Sequence, residues 1–200
     1  IMSNKYAFVL GNGVSRKPIN LNRLKEIAPI YGCNALYREF APDYLIAVDT
    51  KMIKEITLND YHKRHTVWTN PNNMTNQIEG LHIFKPNKGW SSGPTALWLA
   101  SEHSYNSIYI LGFDYQGLGH NKEEVNNIYA GTDNYKRTND KATYYGNWTR
   151  QTMMVANNFP KIRYVRVVAE GDYFIPDHLK DIQNISHITV PEFRKKFKVK

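Results

Sequence analysis

The chain has 200 residues and one cysteine, is 42% apolar and 22% charged, and carries a formal net charge of +8. That length buries a core without staples, and the lone Cys33 excludes internal disulfides and most cysteine metal sites. No stretch is long and apolar enough to span a membrane, and the N-terminus lacks the apolar region of a signal peptide, so a cytoplasmic protein is expected.

In chain order, Tyr6-Ala7-Phe8-Val9-Leu10 is a continuous apolar run that predicts a strand covered on both faces. Gly11-Asn12-Gly13-Val14-Ser15 follows at once. Two glycines, an amide and a hydroxyl at a strand end let backbone N–H groups approach an anion. An ordinary turn explains the same residues, and no Gly-Lys-Ser/Thr follows to make a P-loop. A short helix is expected near Asn20 or Asn22. Strands are predicted over 30–33, 44–48, 66–68, 81–84, 107–111 and 162–167, with helices over 50–58, 93–103 and 147–158. Ser92 is the expected N-cap of the middle helix and Pro94 sits in its first turn. The polar segment 116–143 has no sustained apolar period and reads as a lid. The basic run Arg194-Lys195-Lys196-Phe197-Lys198-Val199-Lys200 reads as a solvated tail. This alternation predicts an α/β protein, a single Rossmann-like domain over 1–200 with a mostly parallel sheet flanked by helices and a lid-like insertion.

Small polar residues recur where these strands end. Gly11, Asn12, Gly13 and Ser15 follow the first, Asn34 the second, Asp49 the third, and Gly112 and Asp114 the strand before the lid. Ser91, Ser92 and Gly93 open the best helix. In a parallel sheet such ends share one edge, where open α/β sheets bind ligands. Asn12 and Asn34 suit ribose hydroxyls or a base edge, and the helix start suits phosphate or carboxylate. Asp49 could accept from ribose, bind a divalent ion or act as a base. His120, inside the lid, is the histidine placed to act as an acid or base. No histidine spacing suits a metal, and no nucleophile elbow is present. The positive charge admits nucleic acid as a partner, and nothing in the sequence sets the oligomeric state.

The order of these motifs resembles the bacterial family 42 sialyltransferases. Gly11-Asn12-Gly13-Val14-Ser15 is similar to that family's GNGPS-type loop, and Ile19-Asn20-Leu21-Asn22-Arg23-Leu24 to its "ID…RL" segment. Cys33-Asn34 with Tyr37, Ser92-Gly93, and Gly112-Phe113-Asp114-Tyr115 follow in the family's order. The resemblance implies a nucleotide domain of the glycosyltransferase A variant, a cytidine-type nucleotide or nucleotide-sugar donor, and a pocket that includes Tyr145. It also implies a transferase that needs no cofactor. Two residues depart from the pattern: Asn147 stands where the family has its histidine base, and Asp49 where it has an asparagine. The base acting on the unknown acceptor is therefore left to Asp49 or His120. A looser resemblance, to 6-hydroxymethylpterin diphosphokinase-like proteins, implies a magnesium-dependent diphosphotransferase with the metal on Asp49 or Asp114. A non-catalytic nucleotide or nucleic-acid binding protein is the third reading.

Overall fold

β1 (Tyr6–Leu10) runs through the centre of the sheet, with Ala7, Phe8, Val9 and Leu10 fully buried. An unbroken apolar run leaves no face for water, so helices must cover both sides. In the computed structural model, which describes residues 5–138, 140–141, 144–171 and 173–200, β1 pairs in parallel with β2 (Ile30–Cys33) and β6 (Ser107–Leu111). β3 (Tyr44–Ile46), β4 (Val67–Thr69) and β5 (His82–Ile83) extend the sheet beyond β2. β7 (Arg163–Val168) and β8 (Ile185–Thr189) extend it beyond β6. The result is one eight-stranded sheet, all parallel, in the order β5-β4-β3-β2-β1-β6-β7-β8.

Alternate residues of β1 feed two cores. Phe8 and Leu10 join Leu24, Ile53 and Phe193 beneath α1 (Leu21–Lys25), α2 (Thr50–Leu58) and α5 (Val190–Phe197). Ala7 and Val9 join Ala96, Leu97 and Val155 beneath α3 (Ser92–Glu102) and α4 (Gly146–Asn158). Local chemistry sets the helix starts. The Asp49 side chain accepts from the Lys51 and Met52 amides to open α2, and Asn20 does the same for α1. Among the described residues no helix is long and apolar enough to cross a membrane.

Two expectations are corrected. The C-terminal basic run is no solvated tail, because Phe193 and Phe197, four residues apart, share one face of α5. Phe193 is fully buried, with its ring 5.9 Å from Phe8, a burial that contributes about 2–3 kcal/mol. A capping box between Thr189 and Glu192 starts that helix, directly after the unforeseen edge strand β8. The N-cap of α3 is Ser91, not Ser92, and its hydroxyl makes no capping bond. Of the expected lid, positions 139, 142 and 143 lie outside the described residues.

Candidate functional site

The sheet order reverses between β1 and β6, so the loops leaving these two strands bound a crevice at the carboxyl edge. The glycine loop does not offer its amides to that crevice. Gly11 and Gly13 donate to the Leu111 and Gly112 carbonyls at 2.7 and 2.9 Å, continuing the β1–β6 ladder. Val14 donates to Asn126 Oδ1 at 2.8 Å and Ser15 to Asp114 Oδ2 at 3.2 Å. The expected anion cradle of backbone N–H groups is therefore already filled by protein acceptors. The glycines serve close approach instead. A Cβ on Gly11 would stand 2.6 Å from the Gly112 oxygen, and one on Gly13 would stand 2.5 Å from Asp114 Oδ2. Gly112 itself needs its left-handed φ of +74°.

Two buried arginines fasten these loops. Arg16 donates through Nε to the Gly11 carbonyl at 2.7 Å and through Nη2 to Asn12 Oδ1 at 2.8 Å. Arg166, on β7, donates to the Phe113 and Asp114 carbonyls at 2.7 and 3.1 Å and lies over the Tyr115 ring. Burial pulls the Arg166 guanidinium below its ordinary value. Asn12 Nδ2 donates to the Cys33 carbonyl at 3.1 Å, so the amide expected to read a nucleoside instead ties β1 to β2. Ser15 Oγ donates to Asp114 Oδ1, and Asn126 Nδ2 donates to Asp114 Oδ2 at 3.0 Å. Asp114, a candidate magnesium ligand of the diphosphotransferase reading, thus has protein donors on both oxygens. Among the described residues no group of three His, Cys, Asp or Glu could hold a metal.

Free donors remain on the opposite wall. Ser92 Oγ accepts from the Val48 amide and donates to Asn34 Oδ1, both at 3.1 Å, which locks the start of α3 against β2. The Ser92 and Gly93 amides, first and second in α3, find no acceptor among the described residues, as is usual in a first turn. Asn34 holds a left-handed φ of 54°, which turns its amide toward them. Gly93, Asn34, Phe113, Tyr145 and Trp148 line an enclosed space of about 60 Å³. A second cavity of about 320 Å³ shares Asn34, Tyr145 and Trp148, and adds Asp49, Met52 and Lys136.

The segment after β6 closes over both spaces. Its Ile128 amide donates to the Asn12 carbonyl at 2.8 Å, and Asn126 bridges Val14, Asp114 and Gln116. Tyr129 is buried and reaches Glu39 and Arg16. Tyr145 lines both cavities, and burial raises its phenol above the ordinary value even though the Asn126 amide donates to it. Gly11, Asn12, Gly13, Asn34, Ser92, Gly93, Gly112, Asp114 and Tyr145 thus meet around the first cavity. Ser15 acts through Asp114, and Ser91 turns its amide to Gln151 Oε1. Asp49 faces the second cavity, with Oδ1 committed to the start of α2.

His120 does not join them. It is exposed at the turn inside the Leu118–Glu124 bridge, beside the left-handed Gly119, and lines neither cavity. Asn147 is exposed on α4, and among the described residues its side chain accepts only from Arg150. Sequence reasoning missed Arg16, Arg166 and Asn126. Arg166 alone carried a signal, a charge inside an otherwise apolar strand, Tyr164-Val165-Arg166-Val167-Val168.

Sheet and crevice define a Rossmann-like α/β fold. The fold is similar over nearly its whole length to that of the monofunctional alpha-2,3-sialyltransferase Cst-I from Campylobacter jejuni. That match has a TM-score of 0.51 at 13% identity and covers 99% of this chain and 95% of the other. A Tyr-to-Phe variant of the sialyltransferase Cst-II, solved in complex with CMP, matches with a TM-score of 0.47 at 15% identity, covering 97% of this chain and 98% of that one. No family model matches the chain, and no curated protein matches its sequence. The distant resemblance read from motif order is borne out at the level of the fold, which does not by itself carry an activity.

Proposed function

We propose that the chain is a nucleotide-sugar-dependent glycosyltransferase that binds a cytidine-type nucleotide in this crevice without a metal cofactor. The observation that carries the reading is the pairing of two unfilled amides, Ser92 and Gly93, with Asn34 on one wall and the Tyr145 and Trp148 rings on the other. The start of a helix favours a phosphate, and flat rings favour the apolar faces of base and sugar. The first cavity, at about 60 Å³, is far below the ~300 Å³ at which ligand pockets begin. Entry of a donor therefore requires the 116–143 segment to lift from Val14 and Asn12, as a lid does.

In this reading the acceptor hydroxyl attacks the anomeric carbon of the donor sugar as the bond to the phosphate oxygen breaks. The nucleotide leaves with the electron pair, held by the Ser92 and Gly93 amides and the Tyr145 hydroxyl. Asp49 takes the acceptor's proton on Oδ2, since Oδ1 holds α2. The fold likeness to a sialyltransferase supports the class of reaction.

Calorimetry with CMP, UMP, GMP and AMP, each with and without magnesium, tests the binding. CMP is expected to bind without the metal, and Asn34→Gly, which keeps the left-handed backbone, is expected to weaken it about tenfold or more. No heat with any of the four nucleotides refutes the reading. Asp49→Asn retains a helix cap and should leave CMP binding intact while abolishing transfer from donor to acceptor. Binding of CMP with no donor turnover in the unaltered chain would instead establish a nucleotide sensor.

A further inference from the structure

The opposite edge of the sheet carries a shallow, open cleft. It lies where β3, β4 and β5 begin, lined by Asp43, Thr66 and His82, with Lys25 from the end of α1 and His62, Lys63, Arg64 and His65 from the turn after α2. Its volume is about 420 Å³, within the range of small-molecule sites.

Its chemistry is one-sided. Lys25, Lys63 and Arg64 face a single lining carboxylate, Asp43, which already accepts from the Ile30 amide at 2.8 Å. Lys63 pairs with Asp60 at 3.1 Å, but both are more than half exposed, and such pairs are weak. Arg64 is exposed, and its guanidinium makes no hydrogen bond or ion pair among the described residues. His62 is only 7% exposed, and its Nδ1 has no partner among the described residues. An orphaned acceptor is tolerated better than an orphaned N–H, so the proton belongs on Nε2. The neighbouring Cδ2 lies 3.4 Å from where a Cβ on Gly80 would stand, on the cavity wall. His65 stacks on Tyr61 and His82 on Trp68, so both rings are fixed at the rim. A fork of guanidinium donors, two ammonium groups and imidazole N–H donors matches a phosphate group.

We propose that this cleft binds a small phosphate-bearing organic anion, at a site independent of the nucleotide crevice on the other edge of the sheet. The cavity is larger than a bare phosphate requires, so the anion carries an organic body that packs on the His65 and His82 rings.

The probes are phenyl phosphate and glucose 6-phosphate, titrated calorimetrically into the full chain in parallel with CMP. Both are expected to bind, and the double variant Lys63→Gln/Arg64→Gln, which alters two exposed side chains, should weaken them about tenfold or more while leaving CMP unchanged. Absence of binding by both probes overturns the proposal, as does binding that the double variant does not weaken. Equal weakening of CMP also overturns it, by showing that the substitutions disturb the chain as a whole and not a separate site. Capture of the chain by phosphatidic acid vesicles or by single-stranded RNA, without binding of either free probe, assigns the charge to a lipid surface or to nucleic acid and rejects a small-molecule site. Failure of CMP alone, with both probes bound, would sink the transferase reading and leave this site standing.

Discussion

Replacing Asp114 tests whether the crevice is held by hydrogen bonds or by charge. Its Oδ1 accepts from the Ser15 hydroxyl, and its Oδ2 accepts from the Ser15 amide at 3.2 Å and from Asn126 Nδ2 at 3.0 Å. Hydrogen bonds to a charged group contribute about 1.5–3 kcal/mol each. The site is only part-buried, so water replaces some of what Asp114→Ala removes, and a net loss of about 2–4 kcal/mol is expected. Asp114→Asn keeps an oxygen toward Asn126 and the Ser15 amide. Its NH₂ group then donates to the Ser15 hydroxyl, which turns its own proton away. All three contacts survive without the charge, so the amide variant should lose only about 1 kcal/mol. Urea denaturation followed by tryptophan fluorescence measures both, with an unchanged slope confirming that the unfolding reaction is the same. Equal losses for the two variants would show that the negative charge itself, near Arg166, is what the loops require. A loss below about 0.5 kcal/mol for alanine would show that the Ser15–Asp114–Asn126 cluster holds nothing.

Two predictions concern pH. Burial pushes the Cys33 thiol from 9.0 up to about 12, so the folded state keeps a proton that the unfolded chain releases. That stability is complete below pH 9 and is lost as pH rises toward 12, about 4 kcal/mol in all. Cys33→Ser removes the titration, and its denaturation midpoints should decline less over this window, whereas parallel curves would refute the assignment. His187 is driven down to about 4 by burial and by Arg166, whose Nη1 lies 3.3 Å from Nδ1. Its neutral form is the folded one, so the associated stability is full above the ordinary 6.5 and falls away toward pH 4. His187→Gln should flatten that acid limb, and an unaltered limb in thermal melts would count against the contact with Arg166.

The strands were legible where apolar runs were unbroken: 6–10, 30–33 and 107–111 form as expected, because a strand buried on both faces leaves a continuous signature. β8 left none, since Ile185-Ser186-His187-Ile188-Thr189 is a half-buried edge strand and reads like a loop. In α5 the cationic residues masked two phenylalanines whose spacing decides the structure. Where the glycine loop would lie was readable from the strand before it. What its amides do was not, because their acceptors come from Leu111, Gly112, Asp114 and Asn126, roughly a hundred residues along the chain. The partners of Asn12 were hidden for the same reason. A lone asparagine looks available to a ligand until a buried arginine and the Cys33 carbonyl are seen to claim it.

The central place of β1 shapes how the chain folds as it leaves the ribosome. β2 begins about twenty residues later, but the partner on the other side is β6, with Tyr6 in register with Ser107. Until that strand emerges, the five-stranded half from β1 to β5 carries an open edge of Phe8, Val9 and Leu10, as apolar and as ready to pair as any in the molecule. Loop closure over that distance is slow. The order of the strands along the chain thus leaves the most apolar strand of the sheet without one of its two partners until half of the sequence has been made.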